Sequence, residues 1–367
     1  MSQIKSLDFQ VIFEDRAGLK PTYNKDFNQI IVWDNDLING YKHKIIKNYS
    51  MNFLGNFFSR INPSIIPLLI FEKPSYVILH GYTRLSDWIL FYTAKLLNIK
   101  IIFRGEATLK KIDLIKSWKY KFKNFVISHL LKNCYKVLYS CSGNKQYWKY
   151  YKVENEKLLF FPCAVDNEFF QSKSAEYQSK RKEIKNTLGI DEDDLVILFL
   201  AQFSKHKRPL DLLKAVNIID NKKITLLFVG DGVEKKNIEN FAKRNKIKAK
   251  FVGFKNQSEI SKYYSVSDLS IVISEYDPSP KAMNEAMNFK LPIIVTDVVG
   301  TAYDLVKEGE NGFIVKVGDI NKISQKIDYV NKNKNILSEM GRKSLDIVNQ
   351  WTFKKNAETI EKIVDRF

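Results

Sequence analysis

Arginine, histidine and cysteine are scarce in this chain of 367 residues, which holds nine Arg beside fifty Lys, four His and three Cys. The shortage of Arg argues against a sequence-specific nucleic-acid reader, because Arg is the side chain that grips guanine edges and phosphates with two prongs. Cys134, Cys141 and Cys163 have no C-x-x-C spacing and cannot all pair. They read as reduced thiols of a cytoplasmic protein, not as a disulfide framework or a zinc site. Apolar runs such as residues 64–71 fall far short of the ~18 residues that a membrane span needs. The first ten residues, MSQIKSLDFQ, have no apolar core of the signal-peptide kind.

What the chain does have is length for about two domains, 45% hydrophobic residues and a formal net charge of +18. That composition describes a basic globular chain, not a disordered one. The charge is concentrated: residues 101–152 carry 12 basic and 2 acidic groups. Within that segment Lys110, Lys111, Lys116, Lys119, Lys121 and Lys123 interleave with Ile112, Ile115, Trp118, Phe122 and Phe125 at helical three- and four-residue steps. Such a helix sets an apolar stripe beside a cationic rim, the pattern of a protein lying on an anionic membrane surface. A core-facing helix with a solvated basic back has the same pattern.

Short β-rich runs alternate with helical patterns from Phe9 onward, the βαβ rhythm of parallel sheets. FQVIF is followed by a helix around 54–71, YVILH, a helix around 84–97, IKIIF, KVLYS and KLLFF. A polar stretch at 169–193 interrupts the series and reads as a linker. LVILFLA at 195–201 opens a second series that includes ITLLFVG, KFVGF, LSIVIS, PIIVTD and NGFIV. The expected organisation is an N-terminal Rossmann-like domain at 1–170, a linker at 171–193, a C-terminal Rossmann-like domain at 194–350 and a terminal helix at 351–367 crossing back. Ligands of such sheets bind at the carboxyl ends of the strands.

The chemistry-bearing stretch is EYDPSPKAMNEAMNFKLPIIVTDVVGTAYDLVKEGENGFIV at 275–315. Its spacing puts Asp277 in the loop after one strand and Glu285 in the first turns of the next helix. The unpaired N–H groups and dipole of that helix's N-terminus favour a diphosphate. Taken alone, Asp277 could equally be an N-cap and Glu285 a solvated helix residue. The register of Asp277, seven intervening residues, Glu285-Ala286-Met287, the Pro-Ile-Ile-Val strand, Gly300 and the Glu310–Phe313 turn resembles the donor-binding region of GT-B fold retaining glycosyltransferases of family 4, the glycosyl transferases group 1. That resemblance implies an α/β fold of two Rossmann-like domains facing across a cleft, and transfer of a sugar from a nucleotide donor with its anomeric configuration retained. It gives Asp277 the donor sugar's hydroxyls, Ser279, Pro280, Lys281 and Ala282 the phosphates or sugar, and Glu285 the ribose. Here Asp277 stands where most members carry Glu, and Ser279-Pro280 replaces an aromatic-Gly pair.

AQFSKHKRPLDLLKA at 201–215 resembles the same family's G-R-L-x-x-x-K-G motif, whose cations neutralise the leaving diphosphate. Lys207 falls on the motif Lys, Gln202 on the Arg position and Ala201 on the Gly, with Lys205 and Arg208 as substitute cations. His206 reads as a bystander. KFVGF resembles the segment whose backbone, at Gly253, reads the nucleotide base, whereas Gly230-Asp231-Gly232 reads as a structural turn. In the N-terminal half, residues 23–46 and 142–170 resemble a subset of the family. Glu106, after the strand IIFR, is the best candidate there for touching acceptor or transferred sugar, and His80 is a weaker one. The remaining members of the membrane or acceptor set are Lys110, Lys111, Trp118, Lys119 and Lys121.

Asp34-Asn35-Asp36 spells the DxD metal motif of another glycosyltransferase fold, but its position near the N-terminus disfavours that role. No metal or other cofactor is expected. In the resembling family the acceptor attacks on the face from which the diphosphate departs, so no general base needs to be visible and positioning carries the reaction. The expected partners are a nucleotide-sugar, a lipid-linked or saccharide acceptor for cell-surface glycan, and the inner face of the cell membrane, with no nucleic acid. The expected first strand and Gly loop of the family have no counterpart before FQVIF. Either the chain is truncated at its N-terminus by about 30 residues, the usual length of a βα unit, or the N-terminal domain is reduced and lacks its first βα unit. A catalytically weak relative acting as a binding or scaffold subunit is the alternative, motivated by Gln202 and Pro280.

Overall fold

The computed structural model describes residues 7–19, 21–24, 29–32, 34, 38–51, 54–109, 118–220 and 223–364. The early strands are β1 (Gln10–Phe13), β2 (Thr22–Asn24), β3 (Gln29–Ile31), β4 (Lys42–Ile45), β5 (Tyr76–His80), β6 (Lys100–Arg104), β7 (Lys136–Tyr139) and β8 (Leu158–Phe160). The later ones are β9 (Leu195–Leu200), β10 (Ile224–Val229), β11 (Ala249–Phe251), β12 (Leu269–Val272), β13 (Ile293–Thr296) and β14 (Gly312–Val315). Helices separate most of them, so the fold is α/β with parallel sheets, as the alternating pattern predicts. The chain divides into two compact units, one drawn from 1–20, 36–162 and 356–367, the other from 21–35 and 163–355.

The first unit holds a parallel sheet in the order β5-β6-β7-β8 and a separate parallel pair of β1 with β4. Its core gathers Leu79, Phe91, Ile101, Phe103, Val137 and Trp148. The last helix, Phe353–Val364, buries Ile360 and Ile363 with Ile102, Leu138 and Phe161. Thr359 Oγ1 donates to Phe160 O at 2.9 Å on that face. The helix expected around 54–71 is shorter: a 3-10 turn at Asn56–Ser59, then a helix at Ile65–Glu72. Residues 60–64 leave the helix because Arg60 is extended and Asn62, fully buried, donates to Glu14 O and to Lys47 O, both at 2.8 Å.

The second unit holds a six-stranded parallel sheet in the order β11-β10-β9-β12-β13-β14 and a separate antiparallel pair of β2 with β3. LVILFL and ITLLFV are apolar throughout because helices cover both faces of an all-parallel sheet, and nearly every residue of the two strands is buried. The chain proceeds outward from β9 through β10 to β11, then returns to place β12 on the other side of β9. That reversal is the switch point where α/β sheets bind ligands. The stretch expected as a linker at 171–193 folds as part of helix Asn167–Gln178 and as helix Arg181–Thr187. Its polarity misleads because one side chain, the fully buried Phe170, anchors the first helix. Arg181 holds the second by bonding Ser267 O at 3.1 Å and Asp268 at 2.6 Å.

Candidate functional site

Two loops leave the carboxyl ends of β9 and β12 at the switch point and are tied together by main chain, with Glu275 N donating to His206 O at 2.7 Å. On this frame the Lys207 ammonium is ion-paired with the Asp277 carboxylate. Their side chains are 18% and 13% exposed, so solvent screens the pair little. Asp277 is held in turn from below: its carbonyl accepts the Gly300 N–H at 2.9 Å. Arg208 adopts a left-handed backbone, φ 56° and ψ 42°, immediately before Pro209 opens helix Pro209–Asn217. Its guanidinium is oriented by Asp211 at 2.6 Å and lies 3.9 Å from Glu275. Lys205 is exposed beside them.

Helix Lys281–Asn288 starts directly after the Asp277 loop, with Pro280 at its N-cap and no side-chain cap bond. The N–H groups of Lys281 and Ala282 belong to its first turn, where no carbonyl lies four residues back. Pro280 contributes no N–H of its own. The Ser279 hydroxyl is buried without a hydrogen-bond partner. One turn in, the Glu285 carboxylate accepts a hydrogen bond from Tyr264 Oη at 2.7 Å. Burial pushes the Glu285 carboxyl above the ordinary carboxylate range, opposed by the Tyr264 bond and the Lys281 charge.

The Gly230-Asp231-Gly232 turn is structural, as expected. A Cβ on Gly230 would stand 2.0 Å from Ala201 O, and one on Gly232 would stand 2.6 Å from Phe203 O. Both glycines therefore let the turn lie against residues 201–203, where Phe203 N donates to Asp231 O at 2.8 Å. Gln202 is thereby fixed between the β9 strand and the Lys207 loop. Gly253, with φ 75°, has open space where a Cβ would be, and its carbonyl accepts from Gly230 N at 2.9 Å.

The second unit thus brings together Gln202, Lys205, Lys207, Arg208, Asp277, Ser279, Pro280, Lys281, Ala282 and Glu285 on two adjoining loops and one helix. Sequence reasoning missed Tyr264, Asp211 and Glu275, the groups that orient Glu285 and Arg208. An i to i+3 Arg–Asp spacing was available as a signal for Asp211 alone. Asp34 serves as an acceptor at a helix start, taking the Ser258 N–H at 3.0 Å, while Asn35 and Asp36 lie outside the described residues.

The first unit places Glu106 at the carboxyl end of β6, where Arg104 Nη2 reaches it at 2.9 Å. His80 pairs with Arg104 in the strand register. Of the membrane or acceptor set, Lys110 and Lys111 lie outside the described residues, as does the side chain of Lys119. Helix Trp118–Lys132 buries Ile127 and Leu130 while leaving Trp118, Phe122 and Phe125 73%, 64% and 69% exposed, with Lys121 exposed beside them. None of the described helices is long and apolar enough to cross a membrane.

Residues 180–345, most of the second unit, match the family model described as glycosyl transferases group 1. The chain is 26% identical over 167 residues to N-acetyl-alpha-D-glucosaminyl L-malate synthase of Bacillus anthracis, covering 45% of this chain and 44% of that protein. The first two curated relatives are thus matched over about half of their length. A longer match, 24% identical over 313 residues and spanning 80% of this chain and 76% of the other, is to UDP-Gal:alpha-D-GlcNAc-diphosphoundecaprenol alpha-1,3-galactosyltransferase of Escherichia coli. Among solved structures, HepE of Anabaena in complex with UDP superposes with a TM-score of 0.72 at 14% identity, covering 89% of this chain and 87% of that one. The fold is that of the GT-B glycosyltransferases.

Proposed function

We propose that this chain is a retaining glycosyltransferase of the family 4 type, moving a sugar from a nucleotide donor to a lipid-linked or polysaccharide acceptor of cell-surface glycan. The observation that carries the reading is the Lys207–Asp277 pair set beside the open first turn that leads to Glu285, inside the stretch that matches the glycosyl transferases group 1 model. Lys207, with Lys205 and Arg208, meets the charge that develops on a departing diphosphate. Cationic side chains fixed in advance do this without a metal. When the phosphates draw Lys207 toward them, Asp277 is released to accept hydrogen bonds from the donor sugar. Glu285, held by Tyr264, accepts the ribose hydroxyls. The acceptor attacks from the face the diphosphate leaves, and Glu106 serves the acceptor or the transferred sugar.

The E. coli relative is named for a UDP-sugar and a diphosphoundecaprenol acceptor, and HepE was solved with UDP. Both support a UDP-sugar as the first donor to try. With an acceptor of the diphosphoundecaprenol type the reaction runs at the inner face of the membrane, and the exposed Trp118, Phe122 and Phe125 stripe with Lys121 beside it supports a peripheral contact there. The test is a thermal-shift screen of nucleotide sugars followed by donor turnover with Glu285→Ala and Lys207→Ala. Nucleotide-dependent stabilisation and turnover lost in both variants supports the reading. No stabilisation by any donor at millimolar concentration would leave a scaffold or binding subunit instead.

A further inference from the structure

Tyr264 is fully buried on helix Gln257–Val266, which a capping box of Asn256 and Glu259 opens. Its ring stacks on Phe289 with centroids 5.2 Å apart and meets Phe170 edge to face at 6.5 Å. Phe170 and Phe289 also meet each other, at 6.3 Å. The three rings join three helices, because Phe289 is the C-cap of helix Lys281–Asn288 and Phe170 is on helix Asn167–Gln178. A close-packed cluster of this kind gives the Tyr264 ring one place to be, and so fixes where its hydroxyl points. A buried Tyr hydroxyl needs a partner, and this one donates to Glu285 Oε2 at 2.7 Å. Helix Lys281–Asn288 is thus held twice by one side chain, through the ring at its end and through the carboxylate one turn earlier.

The two oxygens of that carboxylate have different surroundings. Oε2 is taken by Tyr264, whereas Oε1 has no hydrogen-bond partner among the described residues and is not one of the polar atoms sealed from solvent. Glu285 is accordingly only partly buried. A solvated Glu gives up the rotamer freedom of its side chain when it binds a ligand. Here the Tyr264 bond removes that freedom in advance. A single carboxylate oxygen has two acceptor sites, which matches the paired hydroxyls of a ribose. The same bond acts on charge. Burial disfavours the ionised carboxylate, and two groups oppose it: the Tyr264 hydroxyl, from helix Gln257–Val266, and the Lys281 ammonium, one turn back on Glu285's own helix. Both favour the form that accepts hydroxyls.

We infer that Tyr264 is a positioning residue for nucleotide recognition: by taking Oε2 it presents Oε1 in a fixed place to the hydroxyls of a ribose, and so selects ribonucleotide over 2′-deoxyribonucleotide donors. The inference rests on the donor reading above and adds to it the group that makes Glu285 selective. A freely turning carboxylate meets one hydroxyl of either sugar equally well. A fixed one is satisfied by the pair and left short by the deoxy form, and polar groups left short are what reject an analogue that lacks a hydroxyl. The preference expected is about tenfold to a hundredfold, the span of one hydrogen bond to a charged group.

Calorimetric titration of the full chain reads this preference. The probes are whichever of UDP, GDP and ADP raises the melting temperature most, and its 2′-deoxy counterpart. The proteins are the parent, Tyr264→Phe, Glu285→Gln and the double variant. Tyr264→Phe keeps the stacked ring and removes only the hydroxyl. It is expected to weaken the ribonucleotide about tenfold or more and the deoxy form much less, so that the preference collapses. The pH at which acid abolishes ribonucleotide binding is expected to rise, since burial then acts on Glu285 with one opponent fewer. With a turned-over donor, KM is expected to rise more than kcat falls. In the Glu285→Gln background the same substitution is expected to change the preference no further. A Tyr264 that served packing alone would lower the melting temperature and leave the preference and the acid midpoint in place, which overturns the inference. So does a further change of preference in the double variant. A parent that binds none of the three nucleotides, or a Glu285→Gln that keeps the preference, overturns the donor reading and the inference with it. A preference lost in Glu285→Gln and kept in Tyr264→Phe overturns the inference alone.

Discussion

The Lys207 ammonium and the Asp277 carboxylate meet although 70 residues separate them in sequence. They meet because β9 and β12 are neighbours in the sheet and each feeds a loop from its carboxyl end. The pair is self-neutralising, so under the proposed function donor binding is an exchange of partners, with a diphosphate competing for the Lys207 cation.

Lys207→Ala is expected to lower donor turnover by about 10²–10³, the usual cost of losing one preorganised stabiliser of transition-state charge. It also leaves Asp277 largely enclosed and uncompensated, so a loss of stability accompanies it. Lys207→Arg restores stability ahead of rate, since a planar guanidinium does not reproduce a point charge. Steady-state kinetics with thermal melts of the three proteins checks both parts. Unchanged turnover in Lys207→Ala removes the residue from the mechanism.

Glu285 gives the pH dependence a definite sign. Its carboxyl is held above the ordinary Glu value by burial, so between that ordinary value and the raised one the folded chain keeps a proton that the unfolded chain has lost. The associated stability is full below the unfolded pKa and is lost as pH rises through the folded one. Glu285→Gln is therefore expected to melt higher than the parent at neutral pH and to converge with it in acid. The same variant is expected to bind nucleotide more weakly, having lost its anionic acceptor. Melts from pH 4 to 8, with and without UDP, read both effects.

Gly230→Ala tests the turn that fixes Gln202. The φ of 142° alone costs a non-glycine residue about 1–3 kcal/mol, and a Cβ 2.0 Å from Ala201 O forces the β9 loop to move. The melting temperature is expected to fall by several degrees and donor binding to weaken with it. Gly253→Ala, where the space is open, is expected to cost only its backbone conformation. Comparable losses at the two positions would show that the close approach at Gly230 is not what matters.

The Asp277-to-Glu285 spacing was legible because a strand, a loop and one helix turn are local structure, and eight residues settle where both carboxylates go. The partners of those carboxylates were not legible. Tyr264 reaches Glu285 from another helix, and Lys207 reaches Asp277 from another strand, so both contacts depend on strand order, which no local pattern encodes. The stretch at 171–193 was misread for a related reason. A helix anchored by one aromatic, Phe170, has no apolar stripe with helical period, and its remaining residues look like those of a loop. The DxD spelling at Asp34 is set aside on its position alone, and that Asp34 accepts a helix N–H from Ser258 is not legible locally, because the two residues are 224 apart in sequence.

Helix Trp118–Lys132 offers the prediction furthest from the donor site. Ile127 and Leu130 are in the core, so the exposed Trp118, Phe122 and Phe125 are not needed to hold the helix in place. Burying such side chains at a lipid interface is worth up to about 1.5–3 kcal/mol each, and the lysines add about 1 kcal/mol apiece on an anionic surface. Replacing Trp118, Phe122 and Phe125 with Ser is expected to abolish co-sedimentation with vesicles containing anionic lipid while leaving the melting temperature and UDP binding unchanged. Lys121→Glu is expected to weaken sedimentation less, and to make the residual binding less sensitive to salt, because it removes charge and leaves the apolar stripe. Sedimentation of the parent that is equal on neutral and anionic vesicles would assign the contact to the stripe alone and leave the concentration of lysines at 101–152 without a lipid partner.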